Sequence, residues 1–240
     1  MNRPLVSVIM PVRNGERFLR EAIESILGQD YPSLELIVVD GQSTDGTGSV
    51  VQSFGKIRYI RQEGRLGIGH AKNLGIAAAK GEFLSFISHD DLWPPHKLRT
   101  QIDYMVHHPD VQYSLTRVKF FLEPGCSVPR GFRPELLKDD YVGKMPETLV
   151  ARKSLFDSIG GFNTELTYIE DVEWFARVAR SQIPMGIVQE VLLHKRIHDG
   201  NASYDPSKMR DIKREIVQIV KKSIEHGRTR HTRDDEKQRR

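Results

Sequence analysis

The sequence predicts an α/β protein with a mostly parallel sheet flanked by helices. Two observations carry that prediction. Short apolar runs beginning at Leu5, Leu34, Ile57 and Phe83 alternate with segments whose apolar residues recur at helical spacing. Polar turns follow the first, second and fourth runs, at Asn14, Asp40 and Asp90. In a parallel sheet these turns gather on one rim, the edge at which open α/β sheets bind ligands.

Each element has a local reason. Leu5–Met10 is a mostly apolar run stopped by Pro11, and Val12-Arg13-Asn14-Gly15 turns the chain. From Glu16, the residues Phe18, Leu19, Ala22, Ile23, Ile26 and Leu27 trace a helical stripe that Gly28 and Pro32 end. Leu34–Val39 is a second strand, closed by the polar run Asp40–Thr47, and Val50, Val51 and Phe54 mark a short helix. Ile57–Ile60 is a third strand, and a helix is expected from about His70 to Ala79 after the glycine-broken segment Glu63–Gly69. The run from Phe83 then breaks into Asp90-Asp91-Leu92-Trp93-Pro94-Pro95, where the prolines suit the start of a helix reaching about His108.

The second half continues with strand character at Val111–Leu122 and a Pro- and Gly-rich loop or lid from Glu123 to Gly143. Gly160-Gly161-Phe162 reads as a tight turn requiring glycine backbone freedom. Tyr168-Ile169-Glu170-Asp171 opens a helix over Val172–Arg180, and Gly186–Leu193 is a strand followed by a polar loop from Lys195 to Asp205. A last helix is expected over about Pro206–Ile224, with Met209, Ile212, Ile216, Ile219, Val220 and Ile224 on one side and Lys and Arg on the other. From His226 to Arg240 there are six Lys/Arg against three Asp/Glu and no apolar residue, the composition of a disordered, solubilising tail.

The 240 residues suffice for a large core, and 38% hydrophobic with 28% charged residues is ordinary for a globular chain. No run is long enough to span a bilayer, and Met1-Asn2-Arg3-Pro4 leads directly into a strand, so no secretory leader is expected. The single cysteine, Cys126, fits a reducing cytoplasm and excludes an internal disulfide. The net charge of +4 is mild and does not call for a nucleic-acid partner.

Two acidic doublets stand out, Asp90-Asp91 and Glu170-Asp171. One doublet can hold a hard divalent cation while the other acts as a base, although either also suits a helix start. Asp40 can accept hydrogen bonds from a base or ribose, or can cap the turn that follows it. Lys72, after Gly67-Ile68-Gly69, can point at a diphosphate or base. The spacing there is not a dinucleotide fingerprint, and no Walker motif is present.

Pro11-Val12-Arg13-Asn14, the run Asp40–Thr47, Gly69-His70-Ala71-Lys72-Asn73, Ser88-His89-Asp90-Asp91-x-Trp93, Gly160-Gly161-Phe162, Glu170-Asp171 and Arg196-x-His198-x-x-Asn201-x-Ser203 occur in this order. Seven motifs in register make the chain resemble the family-2 glycosyltransferases of GT-A fold, over roughly residues 4 to 205. The resemblance implies a Rossmann-like nucleotide-sugar half over 1–110, an acceptor-side and catalytic-base half over 111–205, a terminal helix over 206–225 and a basic tail over 226–240. It implies inverting transfer from a nucleoside-diphosphate sugar, expected to be a UDP-sugar, to a glycan, lipid-linked or peptide acceptor.

The resemblance also implies roles residue by residue. Pro11, Val12, Asn14, Asp40, Lys72, Ser88 and His89 would line the donor nucleotide. Asp90, with His198, would hold Mn2+ or Mg2+, and Asp171 would be the general base with Glu170 beside it. One departure concerns Ser88, which stands where the family usually carries an aspartate toward the ribose or donor sugar.

Two rivals remain. A nucleotidyltransferase would favour a glycine-rich basic phosphate loop after the first strand, which Pro11–Glu16 is not. A non-catalytic sugar-nucleotide binder is motivated by Ser88. The basic final helix leaves two readings open, packing of its apolar stripe on the core or peripheral contact with an anionic membrane.

Overall fold

A computed structural model of the chain describes residues 3–201, 206–208 and 210–219. The first strand, β1 (Val6–Val12), is buried along its whole length and leads through a turn into α1 (Glu16–Leu27). The chain continues through β2 (Leu34–Asp40), α2 (Thr47–Gln52), β3 (Arg58–Arg61), α3 (Gly67–Ala78), β4 (Phe83–Phe86) and α4 (Lys97–His107). It is completed by β5 (Tyr113–Leu122), β6 (Asp140–Val142), β7 (Val150–Arg152), α5 (Lys153–Ile159), α6 (Glu170–Arg180) and β8 (Met185–Ile197).

These strands form one sheet in the order β3-β2-β1-β4-β7-β5-β6, with β8 paired to β5. The first four strands are mutually parallel, and β7 is antiparallel to both β4 and β5. Reversing direction twice makes β5 and its parallel partner β8 run the same way as β1. The ends of β1, β2, β4 and β8 therefore face the same side of the molecule. Strand β7 comes from the second half of the chain yet sits beside β4, so the two expected halves share one sheet.

Alternation along the strands sorts the core into two layers. Val6, Val8, Met10 and Val38 pack with Leu19 and Ile23 of α1 and with Leu98 and Ile102 of α4. Ile9, Ile37, Val39, Leu84 and Phe86 pack on the other face with Ala71 of α3, Phe156 of α5 and Trp174 of α6.

Two expectations are corrected, and a third falls partly outside the described residues. Strand β8 runs to Ile197, so Lys195 and Arg196 lie within a strand, because each cation finds a carboxylate partner there. The segment after Glu123 holds a 3-10 turn at Pro134–Leu137 and the short strand β6. The last helix is described as a 3-10 turn at Pro206–Lys208 and helical backbone over 210–219, while the rest of it and the 226–240 tail lie outside the described residues.

The described part of that helix buries a carboxylate that the sequence reading placed on its polar side. Among the described residues of that helix Glu215 is buried, accepting the Thr167 and Tyr168 N–H groups at 2.7 and 3.0 Å, while Ile212 and Ile219 are half-buried and Ile216 is 46% exposed; Met209, Val220 and Ile224 lie outside the described residues. A carboxylate gains more there because it satisfies two loop amides ahead of α6.

Helix α3 approaches β1 closely through Gly75, where an added Cβ would stand 2.4 Å from Cγ2 of the fully buried Ile9. Helix propensity alone would favour Gly75→Ala by about 1 kcal/mol, but overpacking costs about 1–3 kcal/mol. The expected outcome is a lower urea midpoint for Gly75→Ala, and a raised midpoint would contradict this packing.

Candidate active site

The rim is built from three turns that hold one another. Asn14 and Gln42 adopt left-handed backbone, with φ of 52° and 66°, which tightens the turns after β1 and β2. The Asn14 N–H donates to Ser43 Oγ at 2.8 Å, and the Thr44 N–H returns to Asn14 Oδ1 at 2.9 Å. Gly15 N–H donates to Thr47 Oγ1 at 2.9 Å. His89 closes the third side: a Cβ on Gly15 would stand 2.6 Å from its Cδ2, so only glycine fits beneath the ring. Burial lowers the His89 pKa.

Pro11 and Val12 are buried within β1, and the Val12 carbonyl accepts the Gly41 N–H at 2.8 Å. Asp40 is also buried. Its carboxylate accepts the Ser43 N–H at 2.8 Å and the Tyr59 hydroxyl, so it braces the second turn against β3. Asn14 remains exposed at the mouth of this group.

Asp90 and Asp91 follow β4 and divide sharply in role. The Asp91 side chain is 1% exposed and is held by Lys195 Nζ at 2.8 Å and the Arg196 N–H at 3.0 Å. Burial opposes the Lys195 charge, but Asp91, Glu147 and Asp90 outweigh it and hold its pKa well above the ordinary lysine value. Arg196 donates from Nε to the Asp90 carbonyl at 2.9 Å and pairs with Glu123 and Glu21, its guanidinium lying over Phe18 and Phe121.

Asp90 faces outward from this anchor. Its Oδ2 meets His198 Nε2 at 3.1 Å and Asn201 Nδ2 at 3.2 Å. The Gly200 N–H donates to His198 Nδ1 at 3.0 Å, so Nδ1 supplies its lone pair there and Nε2 carries the proton. His198 thus reaches Asp90 as a hydrogen-bond donor and would become a metal ligand only in its other tautomer. Burial would raise the Asp90 pKa, but the His198 hydrogen bond and neighbouring positive charge hold it well below the carboxylate range.

Among the described residues, no group of three or more His, Cys, Asp and Glu is placed to hold a metal ion by itself. The Asp90 donor set nevertheless fits a hard divalent cation, which is commonly held by one or two carboxylates and completed by phosphate oxygens and water.

The second doublet repeats the division. Lys72 is buried on α3 and pairs with Glu170 Oε1 at 2.8 Å, its ammonium over the Phe162 ring. Lys72 therefore faces the α6 cluster. Asp171, one residue on, is only half-buried and its pKa is pushed up to about 6, first by burial and then by Glu170 and Glu147, against Lys72. Asp171 Oδ1 accepts the Val172 N–H at 2.7 Å.

The start of α6 is fixed from below. Trp174 stacks on Phe156, and Arg177 donates to the Gly161 carbonyl at 2.7 Å. Gly160, at φ 87°, and Gly161 let the chain pass, since a Cβ on Gly161 would stand 2.3 Å from Asn73 Oδ1.

Ser88 donates to Glu147 Oε1 at 2.7 Å, and Glu147 lies 3.8 Å from Lys195 Nζ. Neither Glu147 nor Lys195 was singled out from the sequence. Lys195 had a signal, because Ile197 continues the apolar alternation of β8 beyond it. Glu147 had none, its partners being remote in sequence.

Residues 7–154 match the family model described as Glycosyl transferase family 2. An uncharacterized glycosyltransferase of Rickettsia typhi is 36% identical over 217 residues, 83% of this chain, and the chain spans 66% of that relative, just under two thirds of its length. Among solved structures, Staphylococcus aureus TarS 1–349 in complex with UDP-GlcNAc aligns with a TM-score of 0.68 at 22% identity, covering 83% of this chain and 60% of that one. The mannosyltransferase PcManGT from Pyrobaculum calidifontis, in complex with GDP-Man and Mn2+, gives a TM-score of 0.68 at 23% identity over 94% of this chain and 65% of that one. The α/β architecture is thus that of GT-A glycosyltransferases.

Removing Lys195 should expose how strongly the Asp91 anchor matters. Lys195→Met leaves a buried carboxylate with one backbone donor, and loss of one partner of a buried pair costs about 3–5 kcal/mol. Equilibrium denaturation at neutral pH should show a loss of that size, and a change below about 1 kcal/mol, the range of exposed pairs, would contradict it.

Proposed function

Because the chain belongs to glycosyl transferase family 2, we propose that it moves a sugar from a nucleoside-diphosphate sugar to an acceptor hydroxyl by direct displacement with inversion. The observation that carries this reading is Asp171, a carboxylate raised to about 6 at the same end of the molecule as the Asp90 turn. A base with a pKa near the working pH is the group that displacement by a hydroxyl requires.

In this mechanism the acceptor oxygen attacks the anomeric carbon from the face opposite the diphosphate. The bond to the donor phosphate oxygen breaks as the new bond forms, and its electron pair leaves with the nucleoside diphosphate. Asp171 takes the hydroxyl proton on Oδ2, since Oδ1 already holds the Val172 N–H. Glu170, neutralised by Lys72, fixes the N-terminal end of α6 that presents Asp171.

Asp90 would hold Mn2+ or Mg2+, with His198 and Asn201 orienting its carboxylate through Oδ2. That cation supplies charge neutralisation for the departing diphosphate. Asn14 at the mouth of the first two turns, with His89 and Ser88 beyond them, would line the nucleotide, and the buried Pro11, Val12 and Asp40 would shape that wall from behind. The donor is proposed to be a UDP-sugar of the hexosyl or N-acetylhexosaminyl class, a choice supported by the UDP-GlcNAc in TarS and open to comparison with the GDP-Man of PcManGT.

Donor hydrolysis tests this without knowledge of the acceptor. Asp171→Asn should keep the affinity for the sugar nucleotide and lose about 10²- to 10⁴-fold in turnover; wild-type turnover in this variant would remove Asp171 from the role.

The pH profile provides a second check. The carboxyl becomes protonated as pH falls through about 6, and a protonated base cannot accept the hydroxyl proton. Wild-type turnover should therefore fall below about pH 6, and a flat profile from pH 5 to 8 would contradict the assignment.

Asp90→Ala should abolish the gain in nucleotide affinity that Mn2+ confers on the wild type, read by calorimetry. Unchanged metal dependence would exclude Asp90 as the ligand.

A further inference from the structure

Glu147 is a buried carboxylate that the mechanism above does not use. It sits in a 3-10 turn, Pro146–Thr148, whose position is fixed on both sides. Thr148 is fully buried and donates its hydroxyl to the Gly143 carbonyl at 2.6 Å, and the next carbonyl, Leu149, accepts the Ser85 hydroxyl at 2.7 Å. The Glu147 side chain is 14% exposed, takes the Ser88 hydroxyl at 2.7 Å and lies 3.8 Å from Lys195 Nζ. It also acts electrostatically on both Lys72 and Asp171. Glu147 therefore touches the Asp90–Asp91 turn through Ser88 and Lys195 and is near enough to Lys72 and Asp171 to act on their charges.

That location has a chemical meaning. In an in-line displacement the transferred sugar lies between the base and the departing diphosphate. We propose that Glu147, aligned by Ser88, is a specificity-determining residue that accepts hydroxyl hydrogen bonds from the donor sugar and selects neutral sugars over carboxylated ones. This rests on the transferase reading given above.

Three features support it. An ionised carboxylate is an acceptor only, with about four lone-pair directions over two oxygens, so the Ser88 and Lys195 contacts leave acceptor capacity. Hydroxyls are the donors a sugar offers, and a uronate would bring a second negative charge against Glu147. The carboxylate absent from position 88 itself is thus delivered there from a different part of the chain.

Calorimetry in Mn2+ with UDP, UDP-glucose, UDP-glucuronate, GDP and GDP-mannose tests the proposal on wild type and Glu147→Gln. Wild type should prefer UDP-glucose to UDP-glucuronate, or GDP-mannose to GDP if it takes guanine nucleotides. Glu147→Gln should bind the bare nucleotide within about two-fold of wild type, yet lose about ten-fold or more toward the neutral sugar nucleotide. Its discrimination against UDP-glucuronate should shrink, a change that a merely structural residue would not produce.

Ser88→Ala, which leaves the carboxylate in place but unaligned, should move the same ratios in the same direction by less, and it carries the test if Glu147→Gln does not fold. Equal losses toward bare nucleotide and sugar nucleotide, or unchanged ratios, would overturn the role of Glu147 alone. Wild type binding none of the five nucleotides would overturn the transferase reading, and this inference with it.

Discussion

Asp91 is a carboxylate shut away from water, and the arrangement of the rim follows from how it is satisfied. An isolated buried charge of this kind is strongly unfavourable, so it requires both a counter-charge and hydrogen bonds. Lys195 and the Arg196 N–H supply them from the end of β8, and backbone bonds between Leu92 and His194 close the junction. A strand remote from β4 in the sheet order is thereby locked against the β4 turn. Because Arg196 also takes the Asp90 carbonyl, the Asp90 carboxylate is left turned toward His198 and Asn201.

The same division recurs at the second doublet. In each pair one carboxylate is neutralised by a lysine, Asp91 by the half-buried Lys195 and Glu170 by the buried Lys72, while its neighbour faces the rim. The lysine-bound member fixes the backbone, and the free member keeps its chemistry. The two free members are tuned in opposite directions. Asp90 is held ionised by its hydrogen bonds, which suits a cation ligand, and Asp171 is raised by burial and like charge, which suits a base. Adjacent residues in one chain segment can thus carry unlike roles because only one of them has a lysine partner.

Much of this was legible in the sequence, for physical reasons. Short apolar runs and helical stripes set out the parallel sheet, and the turns at Asn14, Asp40 and Asp90 were placed on one rim by topology alone. The positions at which reading failed are those whose reasons lie far away in the chain. Lys195 looked like the start of a loop because its partner, Asp91, precedes it by most of a domain. Glu147 looked like an ordinary turn residue because Ser88 and Lys195 meet it only in the fold. Glu215 looked like a residue of the polar face, yet it is buried because two loop amides before α6 take it as their acceptor. Long-range pairing of charges leaves little local trace, whereas hydrophobic periodicity is local by construction.

In the proposed mechanism Asp171 activates a hydroxyl for direct displacement, with no sugar bound covalently to the protein along the way. The most direct measurement is the anomeric configuration of the first product, followed by proton NMR during hydrolysis of UDP-α-glucose, or by the linkage formed once an acceptor is found. Direct displacement gives the β anomer first, with the α anomer growing in only by slow mutarotation. Initial appearance of the α anomer would mean retention and would contradict the account.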